Sequence, residues 1–293
     1  MKKIILWICV FGFGLSACAP QAGASKANSV QTIVAGTFQA MTSTAPSDSV
    51  LVAYRNVSLT LTTPLIGTEV VSEDMPLRNQ KGPADMVPEY VRITINNYPI
   101  LGELSQQPRI MVYPLNDLIQ TYPEAATAVN ELKNLLDKKD PQFPDKLPFW
   151  PLTSVTKIQD SAPETMGTQS ISAQPQFLDF KSGKGIRYLT QFDKTPPQPI
   201  NGASLFYTYQ GLTDDGKYYI AMILPITLSF LPYDANKNTK LPEGGIPFDW
   251  NMSSDHGPYY AAIKQKLNSA PDDDFFPGLS ICNALSQSLT ITP

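Results

Sequence analysis

The chain has a single histidine, which is the natural candidate for a catalytic base because a nucleophilic triad needs an imidazole. His256 lies in the run SSDHGP at residues 253–258, where a helix is predicted to begin. One interpretation makes it the general base for a distant Ser or Asp. The preferred one makes it a loop histidine beside a cap formed by Asp255 or Ser254. The sequence has no Gly-x-Ser-x-Gly elbow, and we predict no catalytic residue.

The three cysteines differ in their surroundings. Cys9 lies within an apolar N-terminal run, and Cys18 directly follows a Leu-Ser-Ala run. Cys282 lies in the apolar context LSIC, and free cysteine is among the most buried residue types, so we predict a buried, non-catalytic thiol. No intrachain disulfide is expected in the mature chain. One histidine and one free thiol also argue against a zinc site, which draws three or four ligands.

One polar run is similar to the start of a calcium loop. The run DANKN places Asp234, Asn236 and Asn238 at alternate positions, as in Asp-x-Asn-x-Asn. Thr239 stands where such a loop has glycine, and Gly245 stands where it has a bidentate glutamate. The preferred interpretation is a polar turn with no metal assigned. The sequence leaves open whether Asp234, Asn236 and Asn238 bind calcium.

Acidic and aromatic side chains keep two further interpretations open. Carboxylate pairs that hydrolyse glycosides meet in space and cannot be read from spacing, so a surface hydrolase acting on a polymer is the alternative function. The acidic run at residues 272–274 is interpreted as a helix-to-loop junction. Trp150, Trp250 and the tyrosines are candidates for sugar-stacking platforms, although aromatic residues in strands more often fill a core.

The N-terminus carries the most specific pattern. Lys2 and Lys3 precede the apolar run IILWICVFGFG, which is shorter than the ~20 residues of a membrane-spanning helix. A positive start, a short apolar stretch and small residues are typical of an export signal. The sequence LSAC at residues 15–18 resembles the bacterial lipobox. The resemblance implies diacylglycerol on the Cys18 thiol, cleavage before Cys18 and a palmitate-type acyl chain on the new amino group. The alternative is an ordinary signal peptide with an accidental cysteine.

Lipid on Cys18 would decide the location of the protein. One acyl chain holds a protein marginally, at roughly 0.8 kcal/mol per buried methylene, whereas two or more hold it stably. We therefore expect an exported protein, anchored to the outer face of the bacterial cell membrane, or of an outer membrane where one is present. The net charge of −4 argues against a nucleic-acid partner, because no basic stripe is present to neutralise phosphates.

Residues 18–49 are predicted to form a tether. Their composition is rich in Ala, Ser, Thr and Gln with almost no charge, which is typical of flexible linkers. Apolar residues recur at helical spacing across residues 28–41 and predict one amphipathic helix. It is interpreted as a transient helix in a stalk, a helix docked on its own domain, or a short oligomerising or membrane-lying helix. The recurring residues are Val30, Ile33, Val34, Phe38 and Met41.

Alternating and β-rich runs predict a mostly antiparallel sheet. The turn DDGK at residues 214–217 separates two such runs and is a strong hairpin signal, because Gly216 accepts positive φ. Gly211 is expected to mark a bulge or a close backbone approach. Residues 69–88 are predicted to form a loop. The predicted strands are residues 57–61, 90–95, 109–113, 186–192, 204–212, 218–226 and 288–291.

Two helices and one helical turn are predicted beside the sheet. Thr121 followed by Glu124 matches a capping box and opens a helix over residues 122–139. Gly257-Pro258 opens a second helix, and a helical turn follows Pro277. The apolar faces are expected to hold Ala125, Val129, Leu132 and Leu136 in the first helix and Tyr260, Ile263 and Leu267 in the second.

Several of these runs carry a family resemblance. Over most of its length after residue 50, the chain is similar to a group of uncharacterised lipoproteins from Chloroflexota and related bacteria. The order of hairpin, helix and short final strand also resembles PsbP-like folds in outline. The resemblance implies the location and the fold class, and it brings no activity. The runs are IMVYPLNDLIQTYPEAATAVNELKNLL, GIRYLTQF, LFYTYQGLTDDGKYYIAMILPI, FFPGLSICNALSQSLTI and, in the tether, VQTIVAGTFQAMT.

Together these patterns predict a signal peptide over residues 1–17 and an α+β domain over residues 50–293, in which a mostly antiparallel sheet packs with a few helices. A Pro-rich segment leaves open whether this is one domain or two lobes, residues 50–140 and 176–293. The expected function is a non-catalytic binding or interaction module for a protein, glycan or small ligand. No cofactor is assigned.

Overall fold

The computed structural model describes residues 49–79, 86–100, 102, 104–121, 123, 125–148, 167–193 and 195–292. All of them belong to one compact unit, Pro46–Pro293. The predicted signal peptide, Cys18, the predicted helix of the tether and Trp150 lie outside the described residues. None of the described helices is long and apolar enough to cross a membrane.

Antiparallel strands and a few helices give the α+β fold that the sequence predicts. The strands are β1 (Ser49–Tyr54), β2 (Val57–Thr62), β3 (Glu69–Met75), β4 (Arg78–Asn79), β5 (Met86–Val87), β6 (Tyr90–Asn96), β7 (Arg109–Pro114), β8 (Thr168–Phe177), β9 (Gly183–Asp193), β10 (Phe206–Thr213), β11 (Tyr218–Pro225), β12 (Thr227–Leu228), β13 (Phe275–Phe276) and β14 (Thr290–Ile291). The helices are α1 (Leu115–Thr121), α2 (Ala125–Lys138), α3 (Gly257–Ser269) and α4 (Leu279–Ser288), with a 3-10 turn at Asp272–Asp274.

The main sheet has seven strands in the order β3-β6-β7-β11-β10-β9-β8. Its central pair joins β7 to β11, with Tyr113 opposite Tyr219 and Ile110 opposite Met222. Strands from both halves of the chain therefore share one sheet. A smaller sheet has the order β1-β2-β14.

The predicted hairpin is confirmed between β10 and β11. Gly216 takes φ +67° in the turn, the conformation for which glycine is suited. Gly211 is a close approach and not a bulge: a Cβ there would lie 2.9 Å from the Tyr209 ring and 3.2 Å from the Lys184 carbonyl oxygen. The register of β10 continues through Gly211, which lies opposite Ile220, without a shift.

Each face of the main sheet covers its own core. Ile110 and Ile220 face the first core, which also contains Leu59 of β2, Ile263 of α3 and Leu285 of α4. The opposite face holds a second core, built from the sheet residues Met111, Tyr113, Tyr188 and Tyr219 and from Leu118 of α1 and Leu132 of α2. Burying apolar side chains on both faces stabilises the sheet by about 25 cal/mol per Å² of apolar surface.

The predicted apolar face of α2 is confirmed. Ala125, Val129, Leu132 and Leu136 are its buried residues. The predicted helix start is wrong, because Thr121 ends the separate helix α1. Pro123 stands between the two helices, where its ring would clash with a continuing helical turn. Glu124, the second residue of the capping box, lies outside the described residues.

Three other expectations are corrected. Residues 69–88, predicted as a loop, contain β3, which pairs with β6 along its whole length. This edge strand, EVVSEDM, has polar residues on both faces and therefore shows no clear alternation of apolar and polar residues. In α3 the buried aromatic residue is Tyr259 rather than Tyr260. The turn expected after Pro277 is the ten-residue helix α4, so Ser288 ends a helix and does not begin the final strand.

Candidate functional site

A long loop connects β12 to α3. Residues 229–256 contain neither helix nor strand, and loops longer than about 15 residues inside a compact domain are usually either functional or disordered. Lys266 of α3 contacts this loop at two points. The Lys266 ammonium lies 4.3 Å from the centre of the Phe230 ring and donates a hydrogen bond to the Gly244 carbonyl. Further along, Ile246 and Phe248 pack against the first core.

The end of this loop, residues 248–256, forms a closed turn that we call the Trp250 turn. The Asp249 carboxylate accepts hydrogen bonds from the Asn251 N–H at 2.9 Å and the Ser254 hydroxyl at 2.6 Å. The hydrogen bond from the Ser254 hydroxyl, and to a smaller extent the one from the Asn251 N–H, lowers the pKa of Asp249. Its carboxylate therefore stays ionised. The Asn251 side-chain oxygen accepts the Ser253 N–H at 3.2 Å. Both polar side chains that flank Trp250 are thus held by the turn itself.

His256 closes the turn. Its Nε2 lies 2.8 Å from the Asp249 carbonyl oxygen, and because a carbonyl oxygen can only accept, Nε2 carries the proton. The imidazole is 8 % exposed and precedes the first residue of α3 without a side-chain capping bond. Asp255 accepts the Gly257 N–H at 2.8 Å at the start of the helix. The described contacts thus give His256 a carbonyl partner and no nucleophile.

An aromatic cluster supports Trp250. The Phe248 ring meets the Trp250 ring edge to face, with centroids 5.2 Å apart and planes at 78°. Phe248 is in turn stacked on His256 at 4.9 Å and lies edge to face with Tyr259 of α3 at 5.0 Å. Trp250 is nevertheless 43 % exposed and Met252 is 58 % exposed. The turn therefore exposes the Trp250 indole to solvent while contacts with Phe248 hold the ring in position.

Cys282 is fully buried, as its apolar context predicts. Burial raises the pKa of its thiol to about 12. The thiolate is the nucleophilic form of cysteine, so at neutral pH this group is inert.

The calcium-like run is held by its own hydrogen bonds. Asp234 accepts the Asn236 N–H at 3.0 Å and the Thr239 hydroxyl, and Asn236 accepts the Asn238 N–H at 2.9 Å. The Thr239 hydroxyl is the main cause of a lowered pKa at Asp234. Thr239, the residue that departs from the calcium-loop pattern, thus supplies a bond within the turn. Within the described ranges, no three His, Cys, Asp or Glu side chains are grouped so as to hold a metal ion.

One buried acid escaped the sequence analysis. Asp193 is 6 % exposed and accepts hydrogen bonds from the Gln191 amide at 2.9 Å and from the Ser170 hydroxyl. Burial raises the pKa of Asp193. It is the only acid among the buried residues that the structure describes, so these residues supply no opposed pair of buried carboxylates. Its place at the end of β9 gives no signal in the sequence.

The site therefore centres on one residue that the sequence did single out. Trp250 is a candidate stacking platform by residue type, and the structure places it outside every strand and at the surface. The turn that fixes it depends on bonds between Asp249, Asn251, Ser254 and His256, which no periodicity predicts. No protein-family model, curated protein or solved structure was found to match the chain.

Proposed function

We propose that the protein is an exported lipoprotein, anchored through Cys18, whose domain is a non-catalytic module that binds an extracytoplasmic ligand through the Trp250 turn. The observation that carries the binding role is the exposed indole held by a closed, hydrogen-bonded turn. The anchor is supported by the lipobox-like run LSAC and the apolar segment before it.

Rigid aromatic side chains contribute strongly to binding. Tryptophan is among the residues that dominate binding interfaces, because it buries a large area while losing few rotamers. In the Trp250 turn, part of the entropy cost of ordering the Trp250 side chain on binding is already spent in the free protein. Phe248 contacts the indole, and hydrogen bonds fix the backbone on both sides of Trp250. A preorganised group of this kind binds with a smaller entropic cost.

Binding to cell envelopes tests this role. The mature chain from residue 18, carrying Cys18→Ser so that no lipid contributes, would be mixed with washed envelopes of the source bacterium and sedimented. We expect specific, saturable retention, and Trp250→Ala is expected to weaken it by about tenfold or more, as for other central aromatic contacts. Tyr233→Ala is the matched control, because Tyr233 is 45 % exposed in the same long loop but outside the turn.

The result that contradicts the proposal is equally direct. If the wild-type domain sediments no more than a denatured sample, or if Trp250→Ala and Tyr233→Ala bind as the wild type does, the Trp250 turn is not the binding site. Near-ultraviolet circular dichroism and thermal unfolding of each variant would establish that the domain remains folded.

A further inference from the structure

We infer that the ligand of the Trp250 turn is a neutral carbohydrate polymer, with one sugar ring stacked on the indole of Trp250. This inference rests on the proposed binding role of the turn and names the chemistry of its ligand. It is carried by three features of the site: the exposed indole, the exposed polar side chains beside Trp250 in the turn, and the charge of those side chains.

The indole supplies the apolar part of the site. A sugar ring has one face lined by C–H bonds, and this face packs on a flat, electron-rich aromatic surface. The contact with Phe248 is edge to face, and 43 % of Trp250 remains exposed. The exposed ring lies on the Trp250 turn, at the surface and outside any helix or strand.

The side chains beside Trp250 supply the polar part. Asp249, Asn251, Ser253 and Asp255 are exposed, and they combine carboxylate, amide and hydroxyl groups within a few residues of the indole. Asn251 uses its side-chain oxygen within the turn, and its amide nitrogen has no bond to any residue that the structure describes. Sugar hydroxyls both donate and accept hydrogen bonds, and this mixture of groups matches them.

The charge of the turn selects neutral sugars. Residues 248–256 include two carboxyl side chains, at Asp249 and Asp255, and neither Lys nor Arg. An acidic glycan, a polyphosphate or an anionic lipid surface would be repelled at this position. A membrane would in addition have to desolvate both carboxylates in order to take up the indole.

Chemical treatment of the envelopes tests the inference. Periodate cleaves the vicinal diols of sugars, so envelopes oxidised with periodate and washed should retain the Cys18→Ser mature chain no better than untreated envelopes retain its Trp250→Ala variant. Envelopes digested with a broad protease should retain it as before. In native gels that contain xyloglucan, mixed-linkage β-glucan or galactomannan, retardation would identify the sugar, and Trp250→Phe should keep part of it because a flat ring remains.

The outcomes separate the two proposals. Retention that depends on Trp250 but survives periodate and is lost after protease treatment would mean a protein ligand, which overturns the inference and leaves the binding role intact. Survival of both treatments, with binding to phosphatidylglycerol vesicles, would mean a lipid ligand and would also overturn it. If no retention depends on Trp250, the binding role and the inference fail together.

Discussion

Asp193 carries its carboxylate into the interior of the domain with only neutral partners, the Gln191 amide and the Ser170 hydroxyl. An aspartate in an unfolded chain has a pKa of about 3.9, and burial raises the pKa of Asp193 in the folded protein. Between these two pKa values the folded state holds a proton that the unfolded state has lost. The free energy of unfolding therefore falls as the pH rises through this window, and the full cost persists above it.

The variant Asp193→Asn tests this linkage, because the amide keeps the shape of the side chain and removes the charge. We expect it to be more stable relative to the wild type at pH 7 than at pH 3.5, as measured by urea unfolding at both pH values. Other acids titrate in both proteins, so the difference between them isolates Asp193. An equal change in stability at the two pH values would contradict a buried, costly charge.

At the scale of elements, the packing of β9 against β10 depends on one missing side chain. A Cβ at Gly185 would lie 2.2 Å from the Tyr209 ring of the neighbouring strand. Tyr209 is fully buried and donates its hydroxyl to the Leu178 carbonyl at 2.8 Å. The tyrosine therefore has little freedom to move away, and the glycine is the residue that makes room.

Gly185→Ala is accordingly expected to lower the free energy of unfolding by about 1–3 kcal/mol, the usual cost of overpacking a core. Lys184→Ala is the control: its side chain is exposed on the adjacent residue, and such changes stay within about 0.5 kcal/mol. Chemical denaturation of both variants gives the comparison. Equal stability of the two would show that Tyr209 moves aside freely.

Sequence patterns predict helices with one buried side and strands joined by a clear turn signal, and they fail where neither signal is present. The face of α2 and the β10–β11 hairpin follow from periodicity and from the Asp-Gly turn. The strand β3 gives no alternating pattern because its edge position leaves it polar on both faces. The helix α4 is longer than the single turn that the sequence predicts after Pro277. The Trp250 turn depends on contacts of Phe248 with Tyr259, a residue of another element, which local spacing does not encode.

A contact between β8 and the end of α3 also supports the site, although the two are far apart in the sequence. Gln174 of β8 adopts a positive φ and donates its side-chain amide to the Leu267 and Ala270 carbonyls at the end of α3, at 2.9 Å each. Arg187 of β9 holds Gln174 through its backbone and side-chain oxygens. The far end of the helix that carries Tyr259 is therefore fixed to the edge of the main sheet, which steadies the aromatic cluster under Trp250.

At the scale of the whole molecule, the proposed lipid anchor on Cys18 would decide where the domain acts. If Cys18 is lipidated, Cys18→Ser should abolish incorporation of labelled palmitate and should either release the protein from membranes or block its maturation. The measurement is fractionation after a carbonate wash, with the wild-type chain alongside. Retention of the variant in the washed membranes would refute anchoring through Cys18, since two or more acyl chains are what hold such a protein stably.

The central pairing of β7 with β11 also affects how the chain acquires its structure. The strand β7, Arg109–Pro114, is synthesised long before its partner β11, Tyr218–Pro225. The two strands pair at the centre of the sheet across this long stretch of sequence. Until then β7 has an unpaired edge, which is a template for intermolecular association. Contacts so distant in sequence slow folding. A chain interrupted between these strands would therefore be prone to aggregate, and the domain should reach its native state only after synthesis is almost complete.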